Sequence, residues 1–421
     1  MGKVLIKNGR VLDPASGRDE VTDVLIKDKV IADFGDLSPA EDMEVIDATD
    51  KLVIPGAIDL HVHLRDMEQS DKETIETGTQ AAVAGGVTTV MTMPNTVPRL
   101  DCVESIKKYQ RLIQATALVH VHVAGGITRG LQGQQLALID EYPKLGIKFI
   151  SDDGFDVDDE ELLKRAYEKA AELDLIVMTH PEVMHMAPEG VINEGKINQK
   201  LHIPGQPNAK EYQAVERGIR LALKTGARAH FTHVSTKESI QLVREAKRKT
   251  DKITCDVTAH HISLTEEAVL EYGPLAKVNP PLRTEQDRQA LLTGIMDGVV
   301  EFLVTDHAPH EKKDPDIKKA AFGFSGVETL VPATLTELYH NQKMDLKRVI
   351  ELLTWAPARF AGLSSGRLAQ GALADIAIVD LEHPKTVDRY QFISKGKNSP
   401  FHGKSLKGWP VATLVAGKVF R

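Results

Sequence analysis

The stretch IDLHVHLRD, residues 58–66, decides how the chain reads. Its apolar positions are those of a buried strand, yet it carries two histidines, an arginine and two aspartates. Buried polar groups need partners, so these side chains are either satisfied one at a time or converge on a shared charge. Seven further short, β-branched runs follow: GVTTVMTMPNT, ALVHVHVAGG, GIKFISDDG, LIVMTHPE, ARAHFTHVST, ITCDVTAHH and EFLVTDHAPH. Nearly all end in histidine, aspartate, asparagine or threonine. Helical periodicity separates most of them. VESIKKYQRLIQ sets Val103, Ile106, Tyr109 and Leu112 or Ile113 on one face, and DDEELLKRAYEKAAEL and TKESIQLVREAKRK are amphipathic as well. Ser235 with Glu238 predicts a capping box for the last of these. Eight alternations predict an α/β fold, a (β/α)8 TIM barrel over residues 55–365, with its active site at the C-terminal strand ends.

The two ends of the chain have a different style. KVLIKNGRVLD and DVLIKDKVIADFG, then ADIAIVDLE and VATLVAGKVF, alternate apolar and polar residues and are broken by turns. They predict one small composite β-sandwich domain built from residues 1–54 and 366–421. A net charge of −8 offers no basic footprint for nucleic acid. No apolar run reaches the ~20 residues of a membrane span. The two cysteines, Cys102 and Cys255, form no CxxC pair. That fits a reducing cytoplasm and argues against a disulfide framework or a cysteine-based zinc finger.

Residues i and i+2 of a strand share a face, so His61, His63 and Arg65 are expected to point one way. One HxH pair is weak evidence of a metal: His120 and His122 in LVHVHV have the same spacing and read as satisfied structural histidines. Accumulation strengthens the first pair. His180, His233, Asp153 and Asp306 close other strands, giving four imidazoles and two carboxylates on strand ends. Nitrogen and oxygen ligands without thiolate suit Zn²⁺, with Co²⁺, Mn²⁺ or Fe²⁺ as alternatives. Six ligands exceed one tetrahedral ion, so two ions are expected. Arg65 is placed to receive a carboxylate in a bidentate fork, unless it pairs with Asp59 or Asp66.

DLHVHLRD (59–66), TTVMTMPNT (88–96), SDDG (151–154), TH (179–180), THVST (232–236), VTAHH (257–261), KVNPPLR (277–283), TDHAPH (305–310) and FGFSGVET (322–329) occur in this order. The set is similar to the type I dihydroorotases of the amidohydrolase superfamily. The resemblance implies that His61, His63 and Asp306 hold one metal, that His180 and His233 hold the other, and that Asp153 bridges them. A carboxylated Lys148, in Gly146-Ile147-Lys148, is the alternative bridge. It also implies Asn95 and His310 beside Arg65 at the substrate carboxylate, Asn279 at the polar edge of the ring, and backbone groups near Gly323 and Gly326 as ring contacts. The implied reaction is the reversible closure of N-carbamoyl-L-aspartate to L-dihydroorotate and water, a step of pyrimidine biosynthesis. A metal-bound hydroxide is the implied nucleophile, with Asp306 as general acid and base.

Two other readings stay open: another cyclic amidohydrolase (hydantoinase, dihydropyrimidinase or allantoinase), or a non-catalytic partner of aspartate transcarbamoylase. A homodimer, and pairing of an active enzyme with that transcarbamoylase, are further partner expectations. The charged, glycine-containing segment 311–326 reads as a mobile lid. Three positions depart from the resemblance: Met67-Glu68 where Pro-Gly is expected, Pro181 within HPE, and Ala356 where asparagine is expected.

Overall fold

A computed structural model describes residues 2–421. Five strands open the chain: Lys3–Asp13, Arg18–Lys27, Val30–Gly35, Met43–Asp47 and Leu52–Pro55. Three more close it, Ile376–Asp380, Trp409–Val415 and Lys418–Phe420, and all eight belong to one sheet. The join is the antiparallel pairing of Leu52–Pro55 with Ile376–Asp380. Alternation decides which way each side chain is buried. Val53 joins a small core with Val4, Ile6, Ile376 and Leu414, whereas its neighbours Leu52 and Ile54 join the main core of the molecule. Each fully buried aliphatic side chain of this kind contributes about 1.5–3 kcal/mol.

All eight middle runs form strands, and they pair in parallel in chain order. Ala57–Val62 pairs with Val87–Thr92, which pairs with His120–Val123. A bridge from Gly125 to Ile150 leads on to Phe149–Ile150. Next come Ile176–Thr179, Arg228–Phe231 and Ile253–Cys255. Val257–Thr258 continues that last run and pairs with Leu303–Val304. A bridge from Val62 to His307 returns the circuit to its start.

The three helical patterns appear as Val103–Thr116, Glu160–Glu172 and Lys237–Lys247. Val103–Thr116 buries Ile106 and Tyr109, as its spacing predicts. The cap of Lys237–Lys247 differs from expectation: Thr236 accepts from the Ser239 N–H, while Ser235 donates its hydroxyl to the buried Glu211. The helix begins at Lys237, so Thr236 stands at the N-cap and caps it while also donating to Glu211. Between His120–Val123 and Phe149–Ile150 there are only short 3₁₀ turns.

Candidate active site

Asp153 stands among four imidazoles. Its Oδ1 is 3.1 Å from His61 Nε2, 3.7 Å from His180 Nδ1 and 3.7 Å from His233 Nε2, and its Oδ2 is 3.5 Å from His63 Nε2. Asp306 closes the group, with Oδ1 2.9 Å from His63 Nε2 and 3.7 Å from His61 Nε2. His61 and His63 share the C-terminal end of Ala57–Val62, and Asp153, His180, His233 and Asp306 each lie just beyond the end of a different strand. His233 and Asp306 both take left-handed backbone (φ 40° and 49°), a conformation that costs of order 1–3 kcal/mol in non-glycine residues and clusters at functional sites.

The cluster fits a cation. Asp153 Oδ1 and His61 Nε2 are buried 3.1 Å apart, and neither makes a hydrogen bond among the described residues. Ligand atoms of His61, Asp153 and His233 lie within 4.8 Å of one another, as do those of His61, His63 and Asp306. The electrostatics agree. Burial would lower the His61 imidazolium, but Asp153 and Asp306 outweigh it and push the ring up to about 9. Burial would raise the Asp153 carboxyl, but His61, with His180 and His233, holds it well below the usual carboxylate range. His63 is lowered by burial.

Groups behind the cluster fix the orientation of its side chains. Asn95 Oδ1 accepts from His63 Nδ1–H at 2.8 Å, leaving Nε2 for the cluster. Asp256 Oδ1 accepts the His233 backbone N–H at 2.6 Å. Asp59 accepts the backbone N–H groups of His61 and Thr305 and the Thr305 hydroxyl, so it is not a partner of Arg65. Asp66 is not one either, since it receives the N–H groups of Met67 and Ile75.

A cavity of about 200 Å³ opens beside the cluster, lined by His63, Arg65, Asn95, Asp153, Gly154, Phe155, His180, Asn279, Asp306, Ala308, His310, Phe322 and Gly323. Arg65 is 9% exposed, and its buried Nε has no hydrogen-bond partner among the described residues. It does not reach the cavity by strand alternation. The strand ends at Val62, and Arg65, Asp66 and Met67 form a left-handed run with φ of 54°, 63° and 49°.

Several expected contacts take other partners. Asn95 spends Oδ1 on His63 and directs Nδ2 at the Asp153 carboxylate and carbonyl, 3.3 Å from each. The Gly323 N–H donates to the Lys277 carbonyl, and the Gly326 N–H donates to His307 Nδ1. Gly326 does not line the cavity. Gly323 does, at φ 95° with Ala308 Cβ 2.5 Å from where a Cβ would stand, so no other residue fits there. His310 donates Nε2–H to the Phe322 carbonyl at 2.8 Å. Burial and then Arg65 push it down to about 3, so its neutral ring presents Nδ1 as an acceptor.

Lys148 is exposed, with its ammonium beside Gly362. Asp152 accepts from Ile127 and Thr128, a turn-capping role. His120 pairs with Asp375 at 3.0 Å and His122 is exposed. Ala356 lies in an apolar cluster with Ile58, Leu60 and Met91, and Met67 packs against the main core. Segment 311–326 is tied down: Lys277 Nζ donates to the Ile317 carbonyl, and Lys313 Nζ to the carbonyls of Pro274 and Lys277.

Sequence reasoning missed three contributors. Glu182 accepts from His180 Nε2–H at 2.7 Å; the His-x-Glu spacing was its only signal. Lys210, which meets Glu182 at 2.5 Å, had none. The third is the C-terminal segment. Asn398 Nδ2 donates to the His310 carbonyl, the Asn398 carbonyl accepts from the Ser325 N–H, and Ser394 donates its hydroxyl to the buried Glu73.

The Amidohydrolase family profile matches residues 52–420. A dihydroorotase of Anaplasma phagocytophilum is 43% identical over 98% of this chain and 93% of its own length. One of Bacillus cereus is 41% identical over 99% of this chain and 97% of its own. Among solved structures, the L-hydantoinase (dihydropyrimidinase) of Arthrobacter aurescens superposes with a TM-score of 0.88 at 27% identity, covering 100% of this chain and 96% of that one. The D-hydantoinase (dihydropyrimidinase) of a Thermus species gives 0.84 at 25%, covering 99% and 94%.

Proposed function

We propose a dihydroorotase reaction for this chain, which belongs to the Amidohydrolase family and, within it, to the dihydroorotases. The reaction is the reversible cyclisation of N-carbamoyl-L-aspartate to L-dihydroorotate and water, in de novo pyrimidine biosynthesis. One observation carries this reading. An arginine whose buried Nε has no hydrogen-bond partner among the described residues lines the same small cavity as a carboxylate encircled by imidazoles. A cyclic amide bearing a carboxylate supplies what both require. The circuit of parallel pairings supports a (β/α)8 barrel over residues 55–365. The shared sheet supports a composite β domain from 1–54 and 366–421, although residues 394–398 brace the active-site wall.

His61, His63 and Asp306 would hold one ion and His180 and His233 a second, with Asp153 between them. The nitrogen and oxygen donor set suits Zn²⁺. Bound there, the cations would lower the pKa of a water molecule and draw electrons from the ring carbonyl. The other steps belong to the chain. Arg65 takes the substrate carboxylate in a two-pronged hydrogen bond. Burial would raise the Asp306 carboxyl, but His63 and His61 keep it low, so at neutral pH it is a base. It takes a proton from the attacking water and delivers it to the departing ring nitrogen. In ring closure these transfers reverse. Closure converts a dianion to a monoanion and consumes one proton, so acid favours the ring. His310 offers an acceptor in its neutral form and reaches a carboxylate only after gaining a proton on Nδ1. The free cysteines fit a reducing, cytoplasmic setting.

The test is turnover of L-dihydroorotate, hydantoin and dihydrouracil by the zinc-loaded protein. Dihydroorotate should be preferred by at least about 10²-fold in kcat/KM, given the energy of a charged bidentate contact. Preference for either uncharged ring would overturn the assignment.

A further inference from the structure

Glu182 is buried two residues beyond His180, and both its oxygens are engaged. Oε2 accepts from His180 Nε2–H at 2.7 Å and from Asn279 Nδ2–H at 2.6 Å. Oε1 meets the Lys210 ammonium at 2.5 Å. Lys210 is itself only 5% exposed. An ammonium at that depth needs a carboxylate against it, so the two form a neutral unit behind the wall of the site.

The consequences are geometric. A ring N–H donated to a carboxylate fixes the tautomer: Nε2 of His180 carries the proton and Nδ1 keeps its lone pair. Nδ1 is the atom that faces the cluster, 3.0 Å from His233 Nε2 and 3.7 Å from Asp153 Oδ1. The Asn279 amide is fixed by the same oxygen. Nδ2 must face Glu182, because Oδ1 in its place would set oxygen against oxygen, so Oδ1 is the end left for the cavity that Asn279 lines. The two nitrogens, 3.1 Å apart, are both donors to Oε2.

We propose that Glu182, held by Lys210, is a positioning residue that sets two atoms at once: the bare Nδ1 of His180 toward the metal, and Oδ1 of Asn279 as an acceptor for an N–H of the ring or its carbamoyl group. The role of Asn279 rests on the dihydroorotase reading; that of His180 does not.

Two double variants separate positioning from packing. Glu182→Gln with Lys210→Met keeps an oxygen that can accept from both donors. Glu182→Ala with Lys210→Met removes it. Both are neutral, so neither buries an unpaired charge. Zinc affinity is read by chelator competition, KM from dihydroorotate turnover, and folding from the melting temperature of the metal-free protein. The alanine form should bind zinc about 10–100-fold more weakly than the glutamine form. It should also show a KM about tenfold higher, the equivalent of one hydrogen bond, while the metal-free melting temperatures stay close. Equal zinc affinity and equal KM in the two variants would overturn the proposal. Should the alanine form not fold, Glu182→Leu with Lys210→Met takes its place, because it fills the same volume without an acceptor and is read against the glutamine form by the same two outcomes. If the unsubstituted protein does not turn over dihydroorotate, the functional reading falls while the zinc comparison still stands.

Discussion

Asp306 Oδ1 lies 2.9 Å from His63 Nε2, although 243 positions separate the two residues. The backbone accounts for it. The His63 N–H donates to the His307 carbonyl at 2.8 Å, so the last strand of the circuit is stitched to the first beside the site. A carboxylate and an imidazole brought together where the circuit of strands closes stay together while that circuit is intact.

Asp306→Asn keeps the shape of the side chain and removes the proton acceptor. We expect kcat for dihydroorotate to fall by about 10²–10⁴-fold, the usual contribution of general acid–base catalysis, with KM changed much less. Steady-state kinetics in both directions check it, and both should fall together because one group serves both.

Asp153 and Lys148 are separable by metal content. Asp153→Asn should lose at least one of two zinc equivalents per chain, since a bridging carboxylate serves both sites. Lys148→Met, altering an exposed side chain beside Gly362, should keep both and its activity. Elemental analysis after gel filtration reads the result; zinc lost only from the Lys148 variant would reverse the assignment.

Arg65→Met removes the charged fork. Two charge-assisted hydrogen bonds are worth a few kcal/mol, so kcat/KM for dihydroorotate should fall about 10²–10³-fold. Any residual turnover of uncharged hydantoin should change by less than about threefold. A parallel loss on both substrates would mean that the arginine supports the site and does not read the substrate.

Glu328 gives a pH signature away from the ligands. Its carboxylate accepts from the backbone of Ile393 and Ser394, but burial outweighs these bonds and pushes it up to about 7. The unfolded chain therefore ionises first as pH rises, near the ordinary value of 4.5. Between about pH 4.5 and 7 the folded state holds the extra proton, and stability falls as pH rises. The loss is at most about 3 kcal/mol at 1.36 kcal/mol per unit. Glu328→Gln should flatten that slope, as measured by urea unfolding of the metal-free protein at pH 5 and pH 7.

Much of this was legible because strands carry their register in the chain. The eight β-branched runs gave the strands, and the polar residue ending most of them gave the cluster. What failed shows where local pattern stops. Arg65 continues the i, i+2 spacing of His61 and His63 and lines the cavity with His63, but the strand that suggests this spacing ends at Val62 and Arg65 itself takes left-handed backbone. Asn95 and the glycines at 323 and 326 sit near where the resemblance implies, but their polar groups go to His63, Asp153, Lys277 and His307. Lys210 and Asn398 left no trace in their own segments, because their partners Glu182 and His310 come from distant elements. Hydrogen-bond allocation among buried groups is a tertiary property that periodicity does not encode.

Anomalous diffraction at the zinc edge, from crystals of the zinc-loaded protein, tests the central claim most directly. The account predicts density between the Asp153 carboxylate and the ring nitrogens of His61, His63, His180 and His233, at about 2.0–2.2 Å from the ligands. Two peaks should stand about 3.5–4 Å apart. Zinc bound at His120 and His122, or no peak among the six residues, would contradict it.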